Sequence, residues 1–134
     1  MISHHAALVY TMVLVSAADG DMTDAEMRAI HEIVEFLPVF RDYDPELLPR
    51  TAGACAEMLG VDDGLGGVLT QIKAALPVKL RDTAYALACD VAVADGDVNQ
   101  EKLRVLEIIR HRLDVDRLTA AAIERGATAR TRTA

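Results

Sequence analysis

A chain of 134 residues with a formal net charge of -7 is the size of one ordinary domain, and its acidity argues against a nucleic-acid backbone as the main partner. Hydrophobic residues make up 51% and aromatic ones only 4%, so Ala, Leu, Val and Ile must fill the interior, as suits closely packed helices. Two cysteines, Cys55 and Cys89, are too few for the disulfide framework of a small secreted domain and read as buried free thiols in a reducing cytosol.

The start, Met1-Ile2-Ser3-His4-His5, has no basic stretch and no small-residue cleavage pattern after it, so no secretory signal is expected. Helix signals dominate from there on, and no segment alternates as a strand. The first helix is predicted from about His4 to Ala18, apolar nearly all round (Leu8, Val9, Met12, Val13, Val15) and therefore central. It is too short for the roughly 20 residues a membrane span needs, which points to a cytoplasmic protein. Gly20 suits the left-handed residue that ends a helix, and Thr23 with Glu26 makes a capping box that opens a second helix. Met27, Ile30, Ile33, Val34 and Leu37 form its inward stripe, closed by Pro38.

Asp44-Pro45 opens a third helix, bent or delayed by Pro49, that ends near Gly60. Asp62 and Asp63 start a fourth, which ends near Pro77. A fifth, about Val78 to Ala94, is again apolar on most faces (Leu80, Ala84, Leu87, Ala88, Val91, Ala92) and pairs with the first at the centre. Asn99 caps a sixth with Leu103, Leu106, Ile109 and Leu113 inward, and Asp114 or Asp116 opens a last helix through Ile123. Residues 125–134 read as a flexible tail.

One phrase occurs twice: Ala18-Asp19-Gly20-Asp21 and Ala94-Asp95-Gly96-Asp97. Sliding Leu14–Leu37 onto Asp90–Leu113 needs no gap and leaves roughly a third of the positions identical, the mark of an internal repeat. The expected fold is all-α, about seven helices in one bundle with two-fold pseudo-repeat. Repeat one covers about 4–60, a linking helix about 61–77 and repeat two about 78–124.

Each phrase sets oxygen-bearing side chains two residues apart, Asp19, Asp21 and Thr23 in one corner and Asp95, Asp97 and Asn99 in the other. Calcium loops use that spacing at their first ligand positions. The rest of the calcium motif is missing: its glycine is Asp24 or Gln100, and its bidentate glutamate is Ile30 or Leu106. A bound ion would need water, backbone carbonyls, or a carboxylate such as Glu26, Glu101 or Asp90. The alternative is turn chemistry alone. Asp-Gly makes a turn, and Asp21 and Asp97 stabilise the positive start of the following helix. That explains Asp19 and Asp95 less well, because they lie at the negative end of the preceding helix.

The apolar helix, the Ala-Asp-Gly-Asp phrase, the capping residue and the amphipathic helix that follows resemble the TerB-like family of tellurite-resistance proteins, over about Leu8 to Leu118. The resemblance implies a small cytoplasmic helical module linked to tellurite resistance and other chemical stress; since no nucleophile–base pair can be assembled from the residues, a non-catalytic role with other stress-response proteins as partners is expected. It also implies a divalent-cation site, for a hard ion such as calcium or magnesium, at Asp19, Asp21 and Glu26 and at Asp95 and Asp97. Lys102 stands where the first copy has Glu26, with Glu101 as the nearest substitute, so the first corner is expected to be the better site.

Other motifs lead nowhere firm. His31-Glu32-Ile33-Val34-Glu35 lacks the second histidine of a zinc hydrolase, and Gly64-Leu65-Gly66-Gly67 lacks the Lys-Ser/Thr of a phosphate loop. No nucleophile elbow is present. The competing function is a metal-dependent enzyme, or a carrier of a small apolar ligand between helices one and five.

Overall fold

A computed structural model describes residues 1–134. Seven α-helices and three short 3-10 turns account for its regular structure, with no strand. The chain is all-α, as its periodicity predicts.

Helix α1 (His4–Ser16) starts at Ser3, whose hydroxyl accepts the Ala6 N–H at 3.0 Å. From Ala7 to Ser16 every residue is buried, so this helix has no solvent face and must lie in the centre. The Thr11 hydroxyl, enclosed there, returns its proton to the Ala7 carbonyl at 2.8 Å. Helix α2 (Asp24–Phe36) opens with the expected capping box: Thr23 Oγ1 accepts the Glu26 N–H at 3.2 Å and Glu26 Oε1 accepts the Thr23 N–H at 2.9 Å. Ile30, Ile33 and Val34 face the core, Met27 is half-buried, and the helix stops at Pro38.

Asp44-Pro45 opens a 3-10 turn, Pro45–Leu47, before α3 (Leu48–Leu59) begins with Pro49 in its first turn. Pro49 delays the helix there because its ring fits only where no N–H is required. Helix α4 (Gly64–Ala75) follows a tight corner where Asp63 takes a left-handed φ of 56°. A Cβ on Gly64 would overlap the Met58 carbonyl, so only glycine fits that approach. A 3-10 turn, Val78–Leu80, leads into α5 (Arg81–Ala92), which packs along α1 through Ala84, Leu87, Ala88 and Val91. Helices α3 and α4 also lie against α1, and α6 (Gln100–Arg112) touches both α1 and α5. Central α1 and α5 match the expectation.

Two expectations are corrected. Leu103 is not inward: it is 47% exposed, while the adjacent Lys102 side chain is 1% exposed and heads the buried stripe with Leu106, Ile109 and Leu113. The stripe runs one residue earlier than its apolar members suggest, because its first member is charged. Nor do residues 125–134 form a tail throughout. Asp116 caps α7 (Arg117–Arg130) by accepting the Thr119 N–H at 3.0 Å, and the helix continues past Ile123 to Arg130. Ala120 and Ala127, a heptad apart, are buried, and α7 covers α5.

Candidate functional site

The two Ala-Asp-Gly-Asp corners take the same backbone form. Gly20 and Gly96 have φ of +80° and +78°, the left-handed region where a Cβ is penalised. Asp19 Oδ1 accepts the Asp21 N–H, and Asp95 Oδ1 accepts the Asp97 N–H, both at 3.0 Å. These two bonds give the first aspartate of each phrase a role in its turn.

The corners also meet. Thr23 Oγ1 donates to Asp95 Oδ2 at 3.2 Å, and Asn99 Nδ2 donates to Asp19 Oδ2 at 2.6 Å. Each helix-capping side chain therefore does two jobs. It accepts an N–H from its own helix (Glu26 for Thr23, Lys102 for Asn99 at 3.0 Å) and donates to the opposite corner. The Asn99 bond and the Asp21 N–H hold the Asp19 carboxyl below its ordinary range.

Beneath this seam lies an ion cluster. The Lys102 ammonium is 2.8 Å from Glu26 Oε2, 3.1 and 3.3 Å from the two Asp95 oxygens, and 2.8 Å from the Asp97 carbonyl oxygen. Lys102 and Glu26 are closed to solvent, and Asp95 is partly buried. The ammonium has three protons to share among Glu26, Asp95 and the Asp97 carbonyl. Glu26 Oε2 has the Lys102 ammonium, at 2.8 Å, as its one polar partner. Its other oxygen, Oε1, accepts from the Thr23 N–H and from Ser16 Oγ at 3.1 Å. Burial pulls the Lys102 pKa down, but Glu26 and Asp95 outweigh it and raise it above the lysine norm. Burial pushes Asp95 up, yet the Asp97 N–H, Lys102 and Thr23 hold it below the carboxylate norm.

Of the six candidate cation ligands, Glu26 and Asp95 are brought together, around Lys102; Asp19 is bound to Asn99. Asp21, Asp97 and Glu101 are exposed, and no three His, Cys, Asp or Glu side chains gather as an ion-holding group. The expected trio of Asp19, Asp21 and Glu26 is not assembled, because Glu26 turns inward to its capping box, Ser16 and Lys102. An ammonium stands amid the oxygens that a divalent ion would need, so the residues as they are do not fit one there. Sequence reasoning missed Ser16, took Lys102 only as a departure from Glu26, and placed Asn99 in its own corner without its bond to Asp19. The available signal was opposite charge, Glu26 and Lys102, at matching places after the two Ala-Asp-Gly-Asp phrases.

The remaining candidates are dispersed. His31 and Glu35 are exposed on α2. Cys55 and Cys89 are buried free thiols, both pushed up to about 12 by burial, far from a reactive thiolate. A half-open groove of about 360 Å³ lies between α5, α6 and α7 rather than between α1 and α5. Tyr85, which donates to Glu124 at 2.5 Å, sits at its wall with Cys89, Val98 and Leu103.

No helix is long and apolar enough to cross a membrane. Searches of curated proteins and of solved structures each found no significant match. A family model described as Tellurite resistance protein TerB matches residues 5–125, which takes in α1 from its second residue, α2 to α6 whole, α7 as far as Arg125, both corners and the whole ion cluster. The chain belongs to the TerB tellurite-resistance family.

Proposed function

We propose that this chain is a non-catalytic, cytoplasmic stress-response module of the tellurite-resistance class that works through contacts with other proteins. The supporting observation is how its most distinctive polar groups are used. Asp19, Thr23, Glu26, Asp95, Asn99 and Lys102 bond to one another across the two corners and are committed to joining them. A nucleophile or general base needs a group free to meet a substrate. A second reading, carriage of a small apolar ligand, draws on the groove beside Tyr85, Cys89 and Glu124.

Growth on tellurite tests both. Cells deprived of this chain should become more sensitive, and the wild-type chain should restore them. Tyr85→Phe, Cys89→Ala and Glu124→Gln should restore growth as fully as wild type. Failure of one of these variants, shown to be folded by circular dichroism, would assign the role to the groove and overturn the proposal.

A further inference from the structure

We infer that Lys102 is a built-in cation: its ammonium fills the oxygen cage of Glu26, Asp95 and the Asp97 carbonyl, so this corner needs no divalent ion, and removing the lysine opens a latent divalent-cation site. The inference does not depend on the stress-response role. It concerns what the cage holds.

Four oxygens from three residues converge on one point, at 2.8 to 3.3 Å from Lys102 Nζ. Two belong to one carboxylate, one to a second, and one to a backbone carbonyl. That is the donor chemistry of a hard-ion site. Glu26 Oε2 is the telling atom. It is fully buried, and the Lys102 ammonium at 2.8 Å is the one polar partner it has. An uncompensated carboxylate oxygen in that position would be costly, so the cage requires a positive charge. The lysine supplies it from position three of α6, the place that Glu26 holds in α2. The two repeats thus contribute anion and cation to one pair, where two glutamates would have left the cage strongly anionic. A divalent ion entering beside Lys102 would meet a like charge at contact distance with little solvent to screen it.

The experiment uses full-length wild type, Lys102→Gln and Lys102→Ala, each stripped with chelator and melted with and without millimolar calcium, magnesium or manganese. The wild-type melting temperature should not move. Both variants should melt lower by roughly 10 °C or more in chelator, as expected when a buried ion cluster loses one partner. A divalent ion should restore part of the loss in Lys102→Ala, and adding Asp95→Asn should abolish that recovery. No response of Lys102→Ala to any of the ions would overturn the latent site.

Because the variants could fail to fold, wild type carries a second arm. Manganese titrated into ¹⁵N-labelled protein should broaden exposed acidic positions without selecting the amides of Thr23, Glu26, Asp95 and Lys102. Saturable broadening centred on those four, with a rise in melting temperature, would show the cage taking a metal while the lysine is present, and would overturn the inference.

Discussion

A buried lysine is destabilising unless anions and hydrogen bonds replace its water, and Lys102 has both. The partners are just as dependent on it. Removing one member of such a cluster strands the others, whereas removing both charges leaves no orphan. Glu26→Gln keeps the oxygen that accepts from Thr23 and Ser16, so it tests charge with little disturbance of the cap. Glu26→Gln and Lys102→Gln should each cost about 3–5 kcal/mol in urea unfolding, and the double variant less than their sum, with a coupling of about 1–3 kcal/mol. Additive losses would mean that the two side chains act separately. The pH dependence has a definite sign. Asp95 is depressed, so its contribution is present above the unfolded carboxylate pKa of about 3.9 and is lost as pH falls through the lower folded value. Lys102 is raised, so its contribution is present below the unfolded value of about 10.4 and is lost as pH rises through the higher folded one. The advantage of wild type over Lys102→Gln should therefore be flat at intermediate pH and shrink at both extremes.

At the scale of the element, what was legible follows from what is local. Ser, Thr, Asn and Asp caps act within three residues, and so Thr23, Asn99 and Asp116 each mark a helix start that the structure keeps. The all-round apolar character of α1 is likewise a property of the segment itself, and it lies in the core. The stripe of α6 was displaced because periodicity is counted on apolar residues, and its first buried member is Lys102. The length of α7 was hidden for a related reason. Its buried positions, Ala120 and Ala127, are too small to stand out from the neighbouring Ala, Thr and Arg. That end of α7 is nevertheless attached: Ala127 is buried and Arg130 reaches Asp90 at 2.6 Å. Ending the chain after Arg125 should cost about 1–2 kcal/mol, mostly from lost cover over α5. Arg130→Ala alone should cost less than about 0.5 kcal/mol, since an exposed ion pair contributes little. An unchanged urea midpoint on truncation would return those residues to the status of a tail.

Across the whole molecule, the decisive contacts join residues far apart in sequence, and for that reason they were not legible. Asp19 and Asn99 are separated by 80 positions and Thr23 and Asp95 by 72, and neither pair has a local signature. In sequence the corners therefore read as two separate turns, with or without an ion, where the structure joins them in one seam. That seam has a consequence for folding. Within residues 1–60, α1 has only α2 and α3 to pack on, while its contacts with α4, α5 and α6 come from the rest of the chain. Its buried Leu8, Met12 and Val15 would face water on those sides, and Glu26 would be buried or solvated without Lys102. Residues 1–60 should therefore not fold by themselves, even though their caps and helix propensities are intact. Expressed alone, residues 1–60 should show weak helical dichroism and melt without a sigmoidal transition, whereas the full chain should unfold in one cooperative step seen identically by dichroism and calorimetry. Mixing 1–60 with 61–134 should recover helical signal, because the second piece brings α4, α5, α6 and Lys102 to the first. A cooperative melt of 1–60 alone would show that this segment is a folding unit in its own right and that the seam only docks two finished halves.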